Sequence, residues 1–348
     1  LSHGVALLIC SVYMFMLVFF FFFFKQKTAY EIVDCDWSSD VCSSDLDFLP
    51  YTMKWLELVL RWGHVLFAIL WVGNSFLFNY LDNKLNKSIS SSTIDGEGYL
   101  MHSGYFYKLT RLKKSPPVNY LKSLVIFKWQ SYLTFITGIL LLFVIYYYNS
   151  GILMVNKKVL EISPISAVLI SILSLYFYWL VYDFLCKSSI IKNNILFILI
   201  SFSLLLLTSF GLTKIFTPKF AFLSVGLILG TNMFGNVFTV IIPNQMNIIK
   251  ASLKNKKIDS SLSLAAKQRS IHNNYSTFLV LFIMLSGHYS FIVYHKYNWL
   301  ILCAIAIISA TARHYFNLRG RKVINNSILI ISILAFIFLA FLIFVFKP

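Results

Sequence analysis

Stretches of about twenty apolar residues recur along most of this chain, longer than the ~18 residues at which a segment becomes a candidate bilayer span. From Met53 onward eight can be counted, at about 53–81, 125–148, 164–185, 192–213, 218–242, 276–294, 298–317 and 325–346. The pattern predicts an all-α fold: a polytopic membrane helical bundle with eight native transmembrane helices. With 58% hydrophobic and only 12% charged residues, a soluble globule is excluded.

The net charge of +17 would raise the question of nucleic acid in a soluble domain. Here the basic residues sit between spans. Loops 82–124, 186–191, 243–275 and 318–324 hold 17 Lys and Arg, against 6 on the opposite side. The positive-inside rule places the first set in the cytoplasm, so both native termini face outward, N-out/C-out. The lysines read as topology signals and contacts to anionic headgroups, and no nucleic-acid partner is expected.

Residues 1–46 are expected to be an artefactual leader, leaving 47–348 as the membrane domain. Lys25 to Ile32 and Asp36 to Leu46 look like translated sequencing adapters, and Phe19 to Phe24 like a translated homopolymer. Cysteines 10, 35, 42, 186 and 303 form no Cys-x-x-Cys and no Cys-x-x-Cys-His, so no covalent haem c is encoded. An iron cofactor would be held by histidine.

Polar residues inside the spans mark candidate sites, because intramembrane charges must face the bundle interior. Glu57, Arg61, His64, Ala68, Trp71 and Ser75 follow at helical spacing on one face of the first span. At ~1.5 Å per residue His64 lies ~16 Å into the bilayer, and His288, entering from the other side on the sixth span, ~18 Å. Two imidazoles at one depth on antiparallel helices suit the axial ligands of a haem b. A Glu57–Arg61 pair with hydrogen-bonded core histidines is the alternative.

A second cluster lies toward the cytoplasmic side. Gly230 to His288 leaves the membrane through Pro243-Asn244-Gln245 and returns at His272-Asn273-Asn274-Tyr275. Asn232 and Asn236 share a face with Thr239, and Arg313 and His314 end the seventh span. Interhelical amides are often packing glue, and Arg313 could instead snorkel to headgroups. Together they offer donors and acceptors suited to a flat anion such as a purine. Lys128 and Gln130 are ambiguous in the same way. Asp183 reads as a neighbour of Tyr182 and Lys187, and His295 as an exposed turn residue without a role. Met101 to Tyr107 is too aromatic for a linker and is expected to fold back against the membrane interface.

The run RWGHVLFAILWVGNSFLFNYLDN from Arg61, followed by HSGYFYKL, FKWQSY, NVFTVIIPNQ, KQRSIHNNY, MLSGHY and ARHYFNLRG, resembles the bacterial membrane-bound urate hydroxylase family, the urate oxidase N-terminal membrane domain. The likeness covers Trp55 to Arg321. It implies eight spans in a bacterial inner membrane and an oxidoreductase of purine catabolism that converts urate to 5-hydroxyisourate and passes electrons to a cytochrome c. That domain often follows the last span in the family; here a separate cytochrome c is expected. By motif match the resemblance implies His64, His102, His272, Asn273, Asn274, His288 and His314 as site positions, with Asn244 and Gln245 beside them. Of these His102, His272, Asn273, Asn274 and His314 are expected to be catalytic, and His64 and His288, from their matched depth, to hold haem. His102-Ser103-Gly104-Tyr105 stands where the family has a glycine-rich His-Gly-Gly-Gly, and Lys128-Trp129-Gln130 where it has Lys-Trp-Glu. The first implies altered backbone access, the second the loss of a possible general base. The expected mechanism binds substrate among Asn232, Asn236, Asn244, Gln245 and Arg313, lets a histidine assist proton removal, and sends electrons outward through haem b. A permease for purines or other small solutes, and a haem b subunit without urate activity, are the competing readings.

Overall fold

The computed structural model describes residues 48–87, 92–321 and 323–346. The expected leader over residues 1–46 lies outside them. Two compact units are present. One comprises Leu1–Trp55 with Pro116–Phe127; in its described part the rings of Tyr51 and Trp55 meet edge to face at 6.3 Å, and Pro117 precedes a one-turn helix, Val118–Leu121. The other, Leu56–Ser115 with Lys128–Pro348, holds every feature described below.

The long helices are α1 (Phe48–Lys84), α2 (Trp129–Leu141), α3 (Pro164–Lys187), α4 (Asn194–Thr213), α5 (Pro218–Gly235), α6 (Ile242–Leu253), α7 (Ser260–Ser286), α8 (Asn298–Gly320) and α9 (Asn326–Val345). Wide π-helical turns extend α2 through Leu142–Tyr147 and join α5 to α6 through Asn236–Ile241. Among the described residues seven stretches are long and apolar enough to cross a bilayer: α1, α2 with its π turn, α3, α4, the α5–α6 rod, α8 and α9. The protein is an all-α, multi-pass membrane bundle. Local chemistry sets the helix starts. Ser163 and Thr217 cap α3 and α5 with proline at the next position, while Asn193, Asp259 and Asn325 cap α4, α7 and α9.

The sixth expected span, 276–294, is where sequence and structure part. The helix there is α7, which begins at Ser260 under the Asp259 cap, ends at Ser286, and packs against α5, α6 and α8. Its first half looks like a basic loop because its buried face is polar: Arg269, Asn273, Asn274 and Thr277 recur at helical spacing and point inward. His288 consequently lies beyond the helix rather than in mid-span. His295 also departs from expectation. It is buried, its Nε2 donating to the carbonyl of Phe346 at 2.8 Å while Nδ1 accepts from the Tyr297 amide at 3.1 Å. This bond joins the turn before α8 to the end of α9, so both lie on one side of the bundle.

The core centres on Phe216, Phe220, Met154, Val225, Ile283 and Leu302. Gly235 is obligatory there, because a Cβ on it would come within 2.5 Å of the Trp179 ring. Many large apolar side chains face outward, including Ile165, Leu169, Leu173 and Phe177 on α3 and most of α9, as hydrocarbon surroundings allow.

The segment after α1 is not a simple loop. Strands β1 (Asn86–Lys87), β2 (Ile94–His102) and β3 (Tyr105–Leu112) form an antiparallel sheet in that order. The β2–β3 turn has positive φ at both central residues, Ser103 at 50° and Gly104 at 81°, the geometry of a tight two-residue hairpin. Arg111 pairs with Asp95 across the strands at 2.6 Å and ties the sheet to the end of α1 through Asp82 at 3.6 Å. Glu97, 3.1 Å from Lys108, holds that ammonium above the usual lysine range.

Candidate functional site

A cavity of about 320 Å³ lies among α1, α2, α5 and α7. This falls at the small end of the range typical of ligand pockets, about 300–1,000 Å³. Phe135, Leu142, Phe222, Leu227 and Ile283 give it a largely apolar wall. Helices α1 and α7 run antiparallel: α1 runs with α8, Phe76 lying over Arg313 and Asn83 beside Gly320, and α8, joined to α7 by a short turn, folds back along it at Arg313–Asn274. One end is therefore bordered by Arg61, Lys219 and His288, the other by Val72, Met233 and Thr277. Along α1, Arg61 to Val72 covers a rise of about 16 Å.

His64 borders this cavity in a fixed orientation. Its Nδ1 lies 2.9 Å from the main-chain oxygen of Thr134 and 3.1 Å from Oγ1 of Thr137. A carbonyl only accepts, so Nδ1 carries the proton and Nε2 keeps its lone pair. Among the described residues Nε2 has no hydrogen-bond partner. Gly138 makes room for the ring: a Cβ there would stand 3.0 Å from His64 Cε1. An imidazole with one nitrogen committed to a carbonyl and the other free is the arrangement of a metal ligand. His288 borders the same cavity from the rim, on the exposed segment after α7. The Glu57–Arg61 pair is also formed, at 2.7 Å.

Beyond the other end the polar cluster resolves into two parts. In the first, Arg269 Nη2 meets Asp183 at 2.6 Å and Nη1 meets Asn236 Oδ1 at 3.0 Å. Asn236 in turn donates to Asn273 Oδ1 at 2.8 Å and to the Tyr182 hydroxyl at 2.9 Å, and Asn273 donates to the Met233 carbonyl at 2.9 Å. The Tyr182 hydroxyl also lies 2.8 Å from His272 Nδ1, and the His272 ring stacks on Phe197. The network answers its own donors and acceptors and braces α3, α5 and α7.

The second part bridges α7 and α8. Arg313 is buried, donating from Nε to Asn274 Oδ1 at 2.6 Å, with its guanidinium 4.0 Å from the Phe76 ring centre and 5.6 Å from that of Phe278. On the adjacent rung His314 Nδ1 and the Tyr275 hydroxyl are 2.7 Å apart, at the exposed surface. Among the described residues Asn274 Nδ2 and Asn317 Oδ1 are buried without partners.

A family model described as urate oxidase N-terminal matches residues 50–344. The chain belongs to that family. No curated protein and no solved structure matches it. For this urate oxidase N-terminal domain the structure groups the sequence-derived candidates unevenly. His64 and His288 share the cavity; Asn236, His272 and Asn273 share the closed network; Asn274 and Arg313 share the second rung. Arg313 does not snorkel. Asn232 stands apart with a buried, unpartnered Oδ1, Asn244 donates to the Leu262 carbonyl at 3.1 Å, and Gln245 is exposed. His102 sits exposed beside the hairpin turn, outside both clusters. Gln130 buries an Oε1 that has no partner among the described residues. Asp183 contacts Lys187 at 2.6 Å as expected but also pairs with Arg269, a residue assigned to a loop by sequence. The spacing Arg269, His272, Asn273 held the signal, had the helix been extended back to Asp259.

Proposed function

We propose that this urate-oxidase-related membrane protein is an oxidoreductase of purine catabolism in a bacterial inner membrane. On this reading it hydroxylates urate to 5-hydroxyisourate and passes the electrons to a cytochrome c. The observation that carries the reading is the free Nε2 of His64, oriented through the Thr134 carbonyl, in an apolar cavity that His288 also borders. This donor set would fit a b-type haem, which His64 would hold with His288 as candidate second ligand. Lys219 and Arg61, at the same end of the cavity, suit the carboxylates of such a group. Bound there, a haem supplies reversible one-electron chemistry.

The remaining roles fall to the chain's own side chains. Thr134 and Thr137 hold the His64 tautomer within the largely apolar wall of the cavity. Substrate is assigned to the Arg313–Asn274 side of the bundle. His314, its Nδ1 engaged by Tyr275, retains Nε2 at the surface for proton transfer. Addition of water to urate with loss of two electrons and two protons balances the conversion. The test is reduction of added cytochrome c by urate with detergent-purified protein, expected for the full chain and lost in His64→Ala. Uptake of urate into vesicles without any electron transfer would instead establish a permease.

A further inference from the structure

Two arginines are buried in this bundle, and they are neutralised unequally. Arg269 has the Asp183 carboxylate at 2.6 Å and the Asn236 carbonyl at 3.0 Å. Arg313 has one neutral acceptor, Asn274 Oδ1, and two ring faces, and among the described residues no carboxylate pairs with it. Stacking on phenylalanine returns less than it costs to take a guanidinium out of water, so this position calls for an anion.

The geometry also limits what kind. Asn274 engages Nε, which leaves the Nη1–Nη2 edge as the guanidinium's open fork, the edge that grips two oxygens of an oxoanion. Because Asn274 spends its oxygen on Arg313, its Nδ2 must be the donor left over, and it is buried without an acceptor. Phe76, stacked on the guanidinium, adds an aromatic surface beside the fork. Phe76 is one turn of α1 beyond Val72, and Asn274 one turn of α7 before Thr277, so both stand about 5 Å of helix rise past residues that border the cavity.

We propose that Arg313 is the anion-binding centre of this membrane domain, with Asn274 as its positioning residue. Its ligand is a planar organic oxoanion, on the functional reading above the monoanion of an oxopurine. The closed Asp183–Arg269–Asn236–Asn273 network is then a brace and not part of the substrate site.

The experiment is equilibrium binding of labelled urate to the detergent-purified full chain without electron acceptor, alongside Arg313→Gln and Arg313→Lys. Wild type is expected to bind urate, Arg313→Gln at least about tenfold more weakly, and Arg313→Lys in between, because lysine keeps the charge and loses the fork. Arg313→Lys keeps the comparison informative should Arg313→Gln fail to fold. Equal urate binding by wild type and both variants would overturn the proposal while leaving the functional reading intact. So would dependence on Arg313 seen only with inorganic phosphate or with anionic lipid nanodiscs, which would mark a phosphate or headgroup site. A b-type absorption spectrum, recorded on each preparation, reports on the redox reading separately: its absence from wild type counts against that reading whatever urate does.

Discussion

The main-chain oxygen of Thr134 lies 2.9 Å from Nδ1 of His64, and this one bond decides which ring nitrogen is available to a ligand. Thr134 sits four residues before Gly138 on α2, and that glycine lets the His64 ring lie against the helix. Both acceptors and the clearance thus come from one face of α2, while α1 supplies the donor. The first span's polar stripe is thereby converted from a list of side chains into an oriented imidazole.

Gly138→Ala tests that clearance. Alanine is the better helix former by about 1 kcal/mol, so an unconstrained site would gain stability. Here the new methyl meets Cε1 at 3.0 Å. A net loss of about 1 kcal/mol is expected in thermal unfolding in detergent, with a perturbed spectrum of any group bound to His64.

Asp183→Asn tests the brace. It strands the Arg269 charge, which is almost fully buried, and is expected to cost about 3 kcal/mol. Replacing both partners with apolar residues, Asp183→Leu with Arg269→Met, should cost much less than the single change. Unfolding midpoints of the two variants make the comparison, and equal losses would show that the pair is not coupled.

Ser103→Gly tests the hairpin. Serine at a φ of 50° is strained where glycine is not, although glycine adds freedom to the unfolded chain. A gain below about 1 kcal/mol is expected, read as slower amide exchange at Leu100 and Tyr107, which pair across the strands. Faster exchange would mean that the serine side chain contributes to the turn.

Apolar length made the spans legible, and the expected starts at 164 and 218 coincide with the first residues of α3 and α5, which Ser163 and Thr217 cap. His64 was legible because its helical stripe was polar within an apolar run. Hydropathy failed where a buried face is itself polar. The Arg269 turn of α7 passes for a loop because its charge is answered by Asp183 on a helix distant in sequence. His295 was hidden for a related reason, since its partner is a carbonyl at the far end of the chain. Arg313 was legible as a candidate, but its orphan status depends on what the fold puts around it.

The proposed redox function requires that His64 hold a redox-active group. An optical spectrum of detergent-purified protein, oxidised and then reduced, tests this most directly. A reducible b-type absorption in wild type, lost in His64→Ala while the variant remains folded, is the expected result; a colourless wild type that takes up no haem would contradict it.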